Sequence, residues 1–453
     1  MTNRANTVML WLATFAGAVI CFFFLTPTVE GLTEAPIKGH NAKTIDHSEH
    51  RVQSALPASI ITPVSTDPAS HFLDMLAAPV GAPITVYGPA TGNTIVVGDR
   101  TLTDCPITNE TVYDIAETGR RLAKTTCWLK DVPLGKTTAS GLSFTVIKGR
   151  VRTIKNFAAF KAAMANPQPG DVYLLKSFTA SKANGKANGG NSSLWMRGGE
   201  HHGPIALVGY PGAPATFKTG AYHVNFKNSL KLDNNNWTVS NLTFDNRWMS
   251  AEFKGPHRIV GNRFKGLQNF PKAGSGTGTV VLSGNRSGGS FLGNVVNGGR
   301  SQWRFDHALY LSDCPDRKGW NVGYNYIHSN SFGRGPHISI NHQPPRCGKP
   351  PTVKILAQHT IHNNTIDSSF YRGKCIGQNS VGRWEKISPA AQKPTLILRN
   401  DLIECGFANK TERDHYNDLR RGDAINISRG GAVIWNNRLY RPEGEIIGNK
   451  ELN

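Results

Sequence analysis

The four residues Gly261-Asn262-Arg263-Phe264 decide the fold, because their pattern keeps returning. SNLTF stands at 240–244, GNVV at 293–296, YNYI at 324–327, NNTI at 363–366, RNDLI at 399–403 and NNRLY at 436–440, with a last short echo, GNKEL, at 448–452. Each sets an Asn directly before a short apolar or alternating run. Counted from Asn241 through Asn262, Asn294, Asn325, Asn364 and Asn400 to Asn437, the steps are 21, 32, 31, 39, 36 and 37 residues. A motif returning at such intervals is the signature of stacked repeats. A second series lies between the Asn motifs: VVLS at 280–283, ALYLS at 308–312, HISIN at 337–341, KCIG at 374–377 and DAINIS at 423–428. Each repeat therefore holds at least two short strands turned by Gly and Asn. One coil of this size cannot bury its own apolar face, so it must stack on its neighbours. An Asn at the same turn of every coil can adopt left-handed geometry and hydrogen-bond its amide to the next. The repeated Asn residues accordingly read as structural.

Working upstream, Ile154, Phe157, Ala158, Phe160, Ala163 and Met164 share one face of a helix over 154–165. The run continues through Pro169-Gly170-Asp171 and an apolar strand to YPGAPATF at 210–217. Helix, PGD and strand together resemble the entry to the right-handed parallel β-helix of the pectate-lyase-like superfamily, in which the helix covers the open end of the first coil. The resemblance covers about 154–449 and implies an all-β fold: a right-handed parallel β-helix over 149–453 with an N-terminal capping helix. It also implies action on uronate polymers in this superfamily. Before it, ITVYG, TIVVG and SFTVI are short β-type runs between Gly and Pro, so 80–148 reads as a small β-rich domain. Residues 27–79, rich in Pro, Ser and Thr without a sustained period, read as a linker.

Residues 1–26 read as an export segment. Arg4 precedes an apolar run from Val8 to Leu25, with no clear small-residue cleavage site after it, so a signal peptide and a signal anchor through residues 8–25 both remain open. Cys21 is followed by Phe22, Phe23 and Phe24 inside that run and reads as an ordinary apolar residue. Export to the periplasm, the membrane surface or the outside permits disulfides. The remaining cysteines form three local pairs as the simplest arrangement: Cys105 with Cys127, Cys314 with Cys347 and Cys375 with Cys405.

The chain has 453 residues, and 51 Lys+Arg against 31 Asp+Glu give a formal charge of +20. Its apolar content and aperiodic Gly exclude a disordered or collagen-like chain. The charge calls for an acidic partner, and export moves nucleic acid behind acidic polysaccharide.

The densest polar stretches are RFDHALYLSD at 304–313 and HSNSFGRGPHISINH at 328–342. With Leu309, Leu311, Ile338, Ile340, Ile425 and Ile427 pointing inward, alternation sends Tyr310, Ser339 and Asn426 outward in line. His307 and His337 fall near one edge, with Arg304, Asp306, Arg334 and His342 around them. Uronate β-elimination needs a cation at the C6 carboxylate, a base for the C5 proton and an acid for the leaving oxygen. Arg334 or Arg304 suits the first role, His307 or His337 the second and Tyr310 the third; Asp306, Ser339, His342 and Asn426 would bind substrate. C5 epimerisation would use the same parts, and a non-catalytic polysaccharide-binding or assembly protein is the third reading. No zinc-ligand spacing occurs, and no cofactor is expected; nothing supports calcium, because the acidic cluster and Arg motif of calcium-type pectate lyases cannot be placed. The triple Asp of polygalacturonases is likewise absent. Lys265 with Arg300, and Asp306 with His307, are local echoes of the lyase Lys/Arg pair and the epimerase Asp-His pair.

Overall fold

The computed structural model describes residues 71–180 and then, in segments, 194–197, 204–217, 224–227, 237–245, 251–254, 257–265, 278–283, 287–298, 307–313, 318–328, 337–342, 358–369, 374–380, 394–405, 424–427, 432–440 and 446–447. The apolar run 8–25 and the pair Cys314 and Cys347 lie outside the described residues.

From Val151 onward the described residues form a parallel β-helix of three sheets, and from Val172–Leu175 to Arg438–Tyr440 the strands visit them in fixed rotation. Among the described residues the first sheet has ten strands, running from Val151–Ile154 to Ala432–Trp435. The second, on the same residues, also has ten: nine from Thr179–Ala180 to Arg438–Tyr440 and a last one, Ile446–Ile447, antiparallel to Arg438–Tyr440. The third has eight, from Leu194–Arg197 to Ile425–Ile427.

Register explains why this sequence coils. On the first sheet Leu207, Val239, Ile259, Phe291, Val322, Ile361, Ile397 and Ile434 lie in one row. On the second, Phe217, Phe244, Phe264, Val296, Ile327, Ile366, Leu402 and Leu439 do the same. Phe217, Phe244 and Phe264 stack ring on ring at 5.2 and 4.9 Å. All but the last coil's Ile434 and Leu439 are fully buried, and those two pack on the same core. Each large buried side chain contributes roughly 1.5–3 kcal/mol, but only because the neighbouring coil covers it.

The Asn ladder occupies the tight corner between the first and second sheets. The Asn262 backbone N–H and Nδ2 both donate to Asn294 Oδ1 (2.9 and 3.1 Å), and Nδ2 also reaches Val239 O at 2.9 Å. The same bonds repeat from Asn294 to Asn325, Asn364, Asn400 and Asn437. Two details differ from the sequence expectation. The left-handed residue is the one before each ladder Asn: Gly261, Gly293, Tyr324, Asn363, Arg399 and Asn436. Asn241 is itself such a residue (φ 53°), and Leu242 fills its ladder place, donating its N–H to Asn262 Oδ1 at 3.0 Å. The turn needs left-handed backbone at one position and an amide acceptor at the next, so one Asn cannot serve as both.

The helix is Phe157–Ala165, shorter than the predicted 154–165 because Ile154 ends a strand. Asn156 caps it, its side chain accepting from Ala159 N at 2.8 Å. Phe160 inserts between Phe178 and Phe217.

Residues 72–147 form a four-stranded antiparallel sheet and a five-stranded sheet. Phe72–Leu73 and Ala77–Pro79 are among the strands, so the unit starts upstream of residue 80. Cys105–Cys127 and Cys375–Cys405 are disulfide-bonded. The first braces the small unit, and the second lies in the β-helix core. Both fit an oxidising, extracellular environment.

Candidate functional site

The small β unit occupies the outer face of the first sheet. Val172, Leu174, Ala206 and Val208 share its apolar core. Phe72, Tyr87, Tyr113 and Leu122 cover Val260, Leu292 and Tyr324 further along. Polar contacts pin it: Tyr87 Oη donates to Asn241 Oδ1 (2.8 Å) and Tyr113 Oη to Tyr324 O (2.7 Å). Arg120 bonds Asp401 and Arg399 O, and Asp401, fully buried, also receives Arg438 at 2.7 Å. The small unit covers much of this face, and the residues singled out from the sequence lie on the third sheet.

On the third sheet the predicted inward residues are inward. Leu309, Ile338, Ile376 and Ile425 form one row, and Leu311, Ile340, Gln378 and Ile427 the next. Tyr310, Ser339, Gly377 and Asn426 line up in register. Tyr310 and Ser339 are nonetheless buried. Leu309 pairs with Ile338, which sets His337 level with Ala308 and one step from His307. His342 pairs with Asp313. Arg304, Asp306 and Arg334 lie outside the described residues, as do the side chains of His342 and Asn426.

The titratable groups gather at the corner where the second sheet gives way to the third. His307 is stacked on Tyr310, centroids 5.6 Å apart. His337 is buried, and burial pushes its pKa down to about 4; neighbouring His328 and His307 lower it too, while the Asp367 carboxylate opposes. His328 is also pushed down, mainly by burial and against the pull of Asp367. Asp367 follows His328 in register on the second sheet. Its Oδ1 accepts from Ser369 N (2.9 Å) and Ser369 Oγ (2.5 Å), and its Oδ2 accepts from Tyr326 Oη at 3.1 Å. Tyr326 stacks on His328 at 4.7 Å and meets Tyr113 of the small unit at 5.9 Å. Burial raises the Tyr326 phenol pKa, and the Asp367 charge and hydrogen bond raise it further.

Asp367 and Tyr326 were missed from the sequence. A signal for Asp367 was present: the third residue after each ladder Asn forms a column of Lys265, Asn297, His328, Asp367, Ile403 and Tyr440. That column does not repeat in chemistry, and its two titratable members nearest the His-rich strands are His328 and Asp367.

The corner thus offers two imidazoles held neutral by burial, His328 and His337, beside the Asp367 carboxyl group and the Tyr326 phenol, which suits proton transfer. Among the described residues no three ligating side chains are placed to hold a metal ion. No family model, curated protein or solved structure matches the chain.

Proposed function

We propose that the corner acts on an acidic, uronate-containing polysaccharide by β-elimination. The observation that carries the reading is His337: a buried imidazole, neutral at pH 7, among His307 and His328 and within the field of Asp367. A neutral imidazole accepts a proton, and a nearby carboxylate stabilises the imidazolium that results. His337, with His307 beside it, takes the C5 proton. The electron pair forms the C4–C5 double bond, the C4–O bond breaks, and the Tyr310 phenol returns a proton to the leaving oxygen. Arg334 or Arg304 neutralises the C6 carboxylate, and the net charge of +20 draws in the polymer. The free base, with its pKa near 4, is weak; the anionic substrate beside it raises that value toward the working pH.

Incubating the full chain with alginate, pectate and glycosaminoglycans, with and without calcium, and following the ultraviolet absorbance of an unsaturated uronate end tests this. Product from at least one polymer supports it; silence across the panel defeats it. C5 epimerisation uses the same proton abstraction, with return from the opposite face instead of bond cleavage. The burial of Tyr310 and Ser339 favours a non-catalytic polysaccharide-binding role as the second reading, which predicts binding that falls with salt and no product.

A further inference from the structure

A second feature lies away from the His-rich corner, where the small β unit meets the early coils. Ile107, Glu110, Lys124 and Thr126 form one wall of a cleft of about 230 Å³; Val208, Gly209, Tyr210, Pro211, Pro214 and Asn241 form the other. The volume is below the roughly 300–1,000 Å³ of drug-sized sites, so it fits one sugar ring and no chain segment.

The walls are rigid. Ala213 N donates to Tyr210 O at 2.9 Å, closing the turn that carries the two prolines. Gly209 is required by close approach: a Cβ there would fall 1.9 Å from Asn241 O. Tyr210 is fixed by the edge of Trp128 at 5.9 Å and by Lys176 Nζ, 4.4 Å above its ring. The amide of Asn241 is committed, accepting from Tyr87 Oη at 2.8 Å and donating to Thr85 Oγ1 at 3.3 Å.

Lys124 is the group without a full set of partners. Its side chain is only 16% exposed, yet its nearest carboxylate, Glu110 Oε1, stands 3.7 Å away and is half exposed. Its one hydrogen bond to the coil, to Asn241 Oδ1, is long at 3.3 Å. Burial dominates its environment and disfavours its charge; Glu110 and Asp74 oppose that, and Arg263 adds to it. A carboxylate entering the cleft would give this ammonium a short charge-assisted bond in place of lost hydration. Lys124, Lys176 and Arg263 outweigh the solvated Glu110 and the buried Asp74, itself offset by Arg258, which favours an anion over a neutral sugar.

We propose that this cleft binds a single uronate residue, its carboxylate on Lys124 and its ring against Tyr210, as a subsite separate from the corner of His307, His328 and His337. The sugar class rests on the function proposed above; the geometry does not. The cleft sits at the coil of Asn241, three to four coils from His328 and Asp367, which is roughly 14–19 Å along the axis at strand spacing.

Calorimetric titration of the full chain with glucuronate, galacturonate and mannuronate, each against its neutral hexose, tests the proposal. At least one acid should bind, and its neutral counterpart should bind about tenfold more weakly or worse. Lys124→Gln should weaken the acid by at least about tenfold, Lys124→Arg should largely retain it, and Tyr210→Ala should weaken acid and neutral sugar alike. His337→Gln should leave this binding unchanged. Absence of binding by the intact protein, or unchanged binding in Lys124→Gln, overturns the proposal. If Lys124→Gln fails to fold, Lys124→Arg and Tyr210→Ala decide it by the same criteria. Sugar binding without turnover of any polymer would defeat the lyase reading and leave the cleft standing; turnover lost in His337→Gln with sugar binding intact would support both.

Discussion

The β-helix has two corners of opposite character. At the turn between the first and second sheets one residue type recurs: Asn262, Asn294, Asn325, Asn364, Asn400 and Asn437, each amide bonded to the next. At the turn toward the third sheet nothing recurs: the column reads Lys265, Asn297, His328, Asp367, Ile403 and Tyr440, with His307 and His337 beside it. The ladder positions of the first corner are tied amide to amide, and none of them is an ionisable residue. The second concentrates imidazoles, a carboxylate and phenols in partial burial. In a solenoid, repetition marks what stacking requires, and departure from repetition marks where chemistry is affordable.

The largest expected effect breaks the ladder. Asn325→Ala removes the acceptor of Asn294 N and Nδ2 and the donor to Phe291 O. Leaving two or three buried groups unsatisfied costs about 1–3 kcal/mol each, so urea unfolding should show a loss of about 4 kcal/mol. His337→Gln, at the other corner, should lose clearly less.

Acid should damage the molecule by a similar amount. His337 and His362, held by burial near 4 and 3, refuse protons that the unfolded chain accepts below pH 6.5. Their contribution is complete above pH 6.5 and is lost as pH falls. Asp74, raised by burial to about 6, acts in the opposite sense, since the folded chain binds its proton first as pH drops toward 3.8. Two imidazoles against one carboxyl leave a net loss of about 4 kcal/mol between pH 7 and 4, measurable as unfolding midpoints, and His337→Gln should recover most of it.

Replacing Cys375 and Cys405 by Ser should cost about 3 kcal/mol, given the 30-residue separation. Cys375 lies level with His337, so this change should also disturb the His corner.

Asp367→Asn should change stability least. It removes the charge that holds up the pKa values of His337 and His328, so both should fall further, while the Tyr326 phenol should titrate lower. Shifts of about one unit, read by NMR of the imidazoles and by phenolate absorbance, would sharpen the contrast between the corners.

The solenoid was legible because its Asn motif reports a backbone geometry that every coil must meet. The displacement of Asn241 was not, because SNLTF looks like GNRF until register shows that Leu242 holds the ladder place. His307, His337 and Tyr310 were legible as a dense polar cluster. Their burial was not, since alternation gives direction and says nothing of what lies over a face. Nor could sequence show that His257 and His359 accept from the backbone N–H of Trp237 and Trp320, which makes them packing residues. The small unit's place on the first sheet depends on contacts such as Tyr113 with Tyr324 and Arg120 with Asp401, separated by more than two hundred residues.

The central claim is that proton transfer belongs to the corner of His337 and not to the Asn ladder. The direct measurement is exchange at C5 of a uronate polymer in deuterated water, followed by NMR, which registers both elimination and epimerisation. The intact protein should wash deuterium into C5 or release an unsaturated end, and His337→Gln should do neither while remaining folded. No exchange and no product with any acidic polymer, or activity unchanged in His337→Gln, would contradict the account.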